Sequence, residues 1–167
     1  SGTRQFVIYA WPAYTHSTSY GFDFEDIQRV RGHLFPGLAQ DPRPHFLDDP
    51  QYGVTAIFSG RAALYERAEI DGRTFPGGPF DPVNQLVLGG AGQALEDDVL
   101  LEEIPLGHYY HEWDGSGTTW SQAVRRAAEA VHNYCIVEVR ESEVSLRVMR
   151  RTGPNSFEEA ETVVVSR

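Results

Sequence analysis

The sequence predicts an α/β chain with an α+β tendency, in which mixed β-sheet layers are flanked by helices and closed by an antiparallel meander. Three observations predict it. Short β-branched and aromatic runs at 4–9, 54–58 and 85–88 each end against a turn, as buried strands do. Two stretches, 24–34 and 118–133, carry apolar residues at helical spacing. The last third alternates apolar and polar residues between short turns, the pattern of half-buried antiparallel strands.

Taken in order, Arg4 to Tyr9 reads as a strand that stops at Trp11-Pro12, because proline cannot extend the ladder. Phe24, Ile27, Val30 and Leu34 then share a helical face, with Asp23 as N-cap and Pro36-Gly37 as the stop. The proline- and aspartate-rich segment 40–51 reads as a surface loop. Val54 to Phe58 is a second strand, followed by a turn at Ser59-Gly60. Turn chemistry fills 69–82, through Asp71-Gly72, Pro76-Gly77-Gly78-Pro79 and Asp81-Pro82. Gln85 to Leu88 is a third strand, running into Gly89-Gly90-Ala91-Gly92. Trp120, Ala123, Val124, Ala127, Ala128 and Val131 fall on one face of a helix capped by Thr118 or Thr119, with Arg125, Arg126 and Glu129 opposite. The meander occupies Tyr134 to Arg140, Val144 to Met149 and Thr162 to Val165.

A chain of 167 residues suits one domain, expected to span 1–167. Its formal charge of -10 disfavours a nucleic-acid partner, and no arginine-rich stripe interleaved with aromatics offsets it. All 14 basic residues are arginine, so lysine Schiff-base and P-loop lysine chemistry are excluded. No apolar run approaches the length of a membrane span. The one cysteine, Cys135, excludes an internal disulfide framework and leaves the compartment open.

Four local patterns carry a family resemblance. Val7-Ile8-Tyr9-Ala10-Trp11-Pro12-Ala13-Tyr14 is similar to a strand ending in Gly-His-x-Pro-apolar-Tyr. Tyr52-Gly53-Val54 through Ser59-Gly60, then Tyr65-Glu66-Arg67, is similar to a Tyr-Gly-Val strand, a Gly-His-x-His turn and a Tyr-Glu-Arg tail. Leu86 to Gly92 matches the strand-to-glycine turn that follows, and the terminal strands match the closing hairpin in pattern. Together these resemble the second half of a calcineurin-like metallophosphoesterase domain, nearest to its purple acid phosphatase-type branch.

The resemblance implies half of a four-layer sandwich and, in the family, a metal pair bridged by hydroxide that activates water against a phosphate ester. Carried over, the family's metal-binding histidines fall on Ala10, Arg61 and Ala63. Alanine has no donor atom, and a guanidinium stays protonated and repels a cation. No Gly-Asp-x-x-Asp and no Gly-Asn-His-Asp or Gly-Asn-His-Glu segment supplies the other ligands. The resemblance therefore implies a degenerate, non-catalytic module acting in binding or structure, with no cofactor. Arg61, walled by Trp11 and Tyr65, is the candidate for holding an anion or a sugar-like ligand.

Two other readings stand beside it. In one, the chain is part of an active metal-dependent phosphoesterase completed by the missing first half of the fold or by another protein chain, with a divalent metal. In the other, Tyr109, Tyr110 and Trp113 belong to an aromatic loop that recognises carbohydrate or protein. His108, His111 and Asp114 form the only close-spaced cluster of metal-ligand types; on a helix His108 and His111 would share a face and could chelate, whereas on a strand they would point to opposite faces. Gly89 to Gly92 lacks the third small residue of a dinucleotide turn, and the acidic 96–98 repels a pyrophosphate. Glu96 to Asp98 and Glu102-Glu103 lack the interrupted spacing of a calcium loop, and Cys135 reads as a buried, inert thiol.

Overall fold

The computed structural model describes residues 4–15, 47, 53–60, 62–71, 81–89, 94–95, 106–107, 109–113 and 119–166, with the backbone alone for 109–113 and 119–122. All regular structure among these residues is β, in nine strands and two sheets. This overturns the expected α/β layers with flanking helices. The predicted helix at 24–34 and almost all of the predicted loop at 40–51 lie outside the described residues.

The first sheet is mixed and six-stranded. It is built from β1 (Gln5–Tyr9), β2 (Val54–Ser59), β3 (Tyr65–Ile70), β4 (Val83–Leu88), β5 (Tyr109–Trp113) and β6 (Thr119–Glu129), in the order β1-β2-β4-β3-β6-β5. The apolar runs of β1, β2 and β4 pair in parallel; β2 and β4 are mostly buried, whereas β1 lies at the sheet edge with Ile8 exposed. Gly53 opens β2 at a φ of 50°, in the left-handed region that glycine enters without strain. β3 and β6 run antiparallel beside them, and β5 closes the edge. The second sheet is the antiparallel meander β7 (Asn133–Val139), β8 (Glu143–Gly153) and β9 (Ser156–Ser166).

The segment predicted as the longest helix is β6. Its pairing with β3 explains the false period, because Arg67 opposes Ala127 while Ala68 opposes Arg125, leaving Arg126 as a bulged extra residue. A bulge flips the alternation. Ala123 and Arg125 share one face of the sheet with Ala68 and Ile70, whereas Ala127 lies on the other face with Arg67. A second irregularity, between Tyr110 and His111, interrupts the pairing of β5 with β6. Breaks about four residues apart turn a period of two into something that imitates 3.6.

Each face of the six-stranded sheet has its own core. On one, Ala56, Tyr65 and Leu86 pack against Val144, Leu146 and Val148 of β8, with Phe6, Phe58 and Cys135 at the margin. On the other, Ala13 and Tyr14 of the turn after β1 cluster with Val54, Ile57, Ala68, Ile70, Val83 and Ala123. A third cluster, Ala62, Leu64 and Val87, lies beside the turn that joins β2 to β3.

Candidate functional site

Because β1, β2 and β4 are parallel, their carboxyl ends lie on one edge of the sheet. The turns that leave those ends gather there, which is where open sheets with parallel strands place ligands. Antiparallel β3 begins at this edge and β6 ends at it, since Tyr65 pairs with both Leu88 and Glu129.

The turns are held tightly. Between β2 and β3 the Ala62 amide donates to the Gly60 carbonyl at 2.9 Å and the Leu64 amide to the Ala62 carbonyl at 2.8 Å, two successive three-residue turns. Gly89 abuts this bend so closely that a Cβ there would stand 1.7 Å from the Ala62 carbonyl oxygen. Only glycine allows that approach. The turn after β1 is fastened differently. The Gln85 side-chain oxygen accepts from the Ala13 amide at 2.8 Å and the Tyr14 amide at 3.1 Å, while Gln85 Nε2 donates to the Tyr14 carbonyl at 2.6 Å.

Of the positions singled out by the family resemblance, Ala10 is exposed at the end of β1, and Ala63 is buried in the bend after β2. Arg61 lies outside the described residues. The two aromatic side chains expected to wall it belong to different cores. Trp11 packs with Tyr9 against the cluster around Ile57, whereas Tyr65 is buried in the cluster facing the meander. Burial raises the pKa of the Tyr9 hydroxyl.

Tyr65 instead joins a polar seam between the sheets. Its hydroxyl donates to Glu161 of β9, and Arg67 Nε and Nη2 reach the two oxygens of the same carboxylate, each at 2.9 Å. Arg67 Nη1 donates to Asn84 Oδ1 at 3.0 Å. This is two-point recognition of a carboxylate by a planar guanidinium. Burial raises the pKa of the Glu161 carboxyl. Burial also lowers that of Arg67, opposed by Glu69 and reinforced by Arg126. Lost hydration is the leading cause for both groups. Beside the seam, Arg150 Nη1 donates to Glu129 at 3.1 Å and Nε to Glu158 at 2.9 Å. A cavity of about 160 Å³ opens there, floored by Ala127, Ala128 and Ala160.

His111 lies on edge strand β5, and its neighbours in the predicted cluster, His108 and Asp114, are outside the described residues, as are the acidic runs 96–98 and 102–103. Among the described residues, no group of three His, Cys, Asp or Glu side chains is arranged to hold a metal ion. The described residues contain no helix long and apolar enough to cross a membrane. Cys135 is half-buried, and burial pushes its thiol up to about 11.

Sequence reasoning passed over Gln85, Arg67 and Glu161. A signal existed for the first, since the polar pair Asn84-Gln85 interrupts an otherwise apolar strand. Glu161 sits in a run of exposed glutamates that gives no hint of its partner 94 residues away. No family model, no curated protein and no solved structure matches this chain.

Proposed function

We propose that this chain is a non-catalytic binding module that keeps metallophosphoesterase-like local turns without their metal ligands, and that it takes a small anion at the carboxyl edge of its parallel strands. One observation carries the reading. The turns after β1, β2 and β4 leave the sheet at that edge, and Ala10 in the first and Arg61 and Ala63 in the second stand where the resemblance calls for histidines. Alanines remove metal affinity there, and an arginine adds a fixed positive charge suited to phosphate or carboxylate. A net charge of -10 argues against nucleic acid as the source of that anion.

Isothermal titration with inorganic phosphate and with a nucleoside monophosphate tests it. Binding heat is expected from the wild-type chain and should vanish in Arg61→Ala. No heat from either ligand, with the variant indistinguishable from wild type, sinks the proposal. Turnover of a chromogenic phosphate ester on adding divalent metal would favour the active-phosphoesterase reading instead. The aromatic recognition reading draws on β5 lying at the sheet edge, and it predicts affinity that is lost on Trp113→Ala and indifferent to Arg61.

A further inference from the structure

We infer that Gln85 is the positioning residue of the carboxyl-edge site, fixing the Trp11-bearing turn by taking the place of a neighbouring strand. The inference goes beyond the anion proposal and rests on it only for the ligand readout named last.

Gln85 lies in the middle of β4, in the sequence VNQLVL, and its side chain is completely buried. A β-branched aliphatic residue would serve the sheet better, because burying an amide is unfavourable unless every polar atom is satisfied. Here both the oxygen and the nitrogen of the amide are engaged, on two adjacent residues of one turn. Its oxygen accepts from the Ala13 and Tyr14 amides, and its nitrogen donates to the Tyr14 carbonyl. Only one orientation of the amide group allows this, so the pattern fixes which atom is oxygen.

The geometry gives the clasp its reach. β4 is two strands from β1 in the sheet, with β2 between them. Ala13 and Tyr14 therefore lie across the face of β2, where they cluster with Ile57, and the clasp ties the exit of β1 to the body of β4. Trp11 precedes Ala13 by two residues, with Pro12 between them locking one backbone torsion. Once Ala13 and Tyr14 are held, little freedom is left to Trp11. Its placement at the edge is thus decided by a residue 74 positions later in the chain.

Gln85→Met keeps length and apolar volume but removes the clasp. Leu86→Ala, next along β4 and facing the meander, is the control for loss of stability alone. With Trp113 and Trp120 replaced by Phe, Trp11 becomes the single tryptophan and is excited selectively on the red side of tyrosine absorption. We expect Gln85→Met to speed hydrogen exchange at the Ala13 and Tyr14 amides by roughly 10- to 100-fold, the span of one or two lost buried hydrogen bonds. It should also shift Trp11 emission and weaken phosphate binding, while Leu86→Ala leaves exchange and emission unchanged. Unchanged exchange and emission in Gln85→Met, or equal changes in Leu86→Ala, overturn the inference. So does a loosened turn with full phosphate affinity. Should Gln85→Met not fold, the wild-type chain decides by the scalar coupling from the Ala13 amide nitrogen to the Gln85 side-chain carbonyl carbon, whose absence also overturns it. A wild-type chain that gives no heat with phosphate refutes the anion proposal, and the exchange and emission measurements still judge Gln85.

Discussion

The two faces of the six-stranded sheet are built on different principles. The face under the meander is apolar at its centre, with Ala56, Tyr65 and Leu86 against Val144, Leu146 and Val148, and its polar groups are kept to a seam at the margin. The opposite face buries polar side chains among its aliphatics. Glu66 at 0% exposure pairs with Arg125 at 1%, their Oε1 and Nε atoms 3.5 Å apart, and Gln85 clasps the turn after β1. Apolar packing tolerates substitution if volume is kept, whereas a buried polar group accepts only the partners it was built for. The carboxyl-edge turn that carries Trp11 is held on the second kind of face. Placement of that turn is thus specified by hydrogen bonds, and the meander supplies generic cover.

The strongest challenge to this comparison is Arg125→Met. It leaves the Glu66 carboxylate buried without its guanidinium, so a loss of about 3–5 kcal/mol is expected, read from urea unfolding midpoints. Leu146→Ala on the meander face should cost about 2–5 kcal/mol, and Leu146→Met less than about 1.5 kcal/mol. If Arg125→Met is as mild as Leu146→Met, the polar face is no more specific than the apolar one and the contrast collapses.

The strands of the parallel ladder were legible, though not their pairing, because QFVIY, VTAIFS and VNQLVL are apolar runs bounded by turns. The same local rules failed for β3, whose sequence YERAEI has charges that satisfy one another only after folding. Glu66 meets Arg125 and Glu69 meets Arg126, both on β6. β6 itself was hidden by its bulge, a feature of the pairing rather than of the strand. At the candidate site, the glycine turns after β2 and β4 were readable, though not that they share an edge. Nor was the fastening of the turn after β1, because Gln85 and its partners are 71 and 72 residues apart and nothing local links them.

The seam tests whether the border between the faces belongs to the polar or the apolar regime. Burial holds the Glu161 carboxyl above its ordinary value, so the native state binds that proton more tightly than the unfolded chain does. Its contribution to stability is therefore full below the ordinary carboxylate range and is lost as pH rises through the raised native value. Glu161→Gln removes the titration while keeping an acceptor for Tyr65 and Arg67. The stability of wild type relative to this variant should fall with rising pH across the mildly acidic range, measured by urea unfolding at several pH values. A difference that grows with pH would mean that pairing with Arg67 outweighs burial, and that the seam acts as a true ionic clasp.

The smallest effect concerns Cys135, which lies on the meander opposite Val148 and at the margin of the apolar core. Burial pushes its thiol from 9.0 to about 11. At pH 8 the native thiolate fraction is then lower than that of an unperturbed thiol by roughly 100-fold, and alkylation by iodoacetamide should slow by about that factor against the urea-unfolded chain. Since the native value is the higher one, ionisation favours the unfolded state. The stability of wild type relative to Cys135→Ser should be level from pH 6 to 8 and decline only as pH climbs from 9.0 towards about 11. Native alkylation at the unfolded rate would show that the meander lifts from the sheet on the timescale of the reaction. Its face would then be a loose cover rather than a dry core, and the contrast with the clasped face would be sharper still.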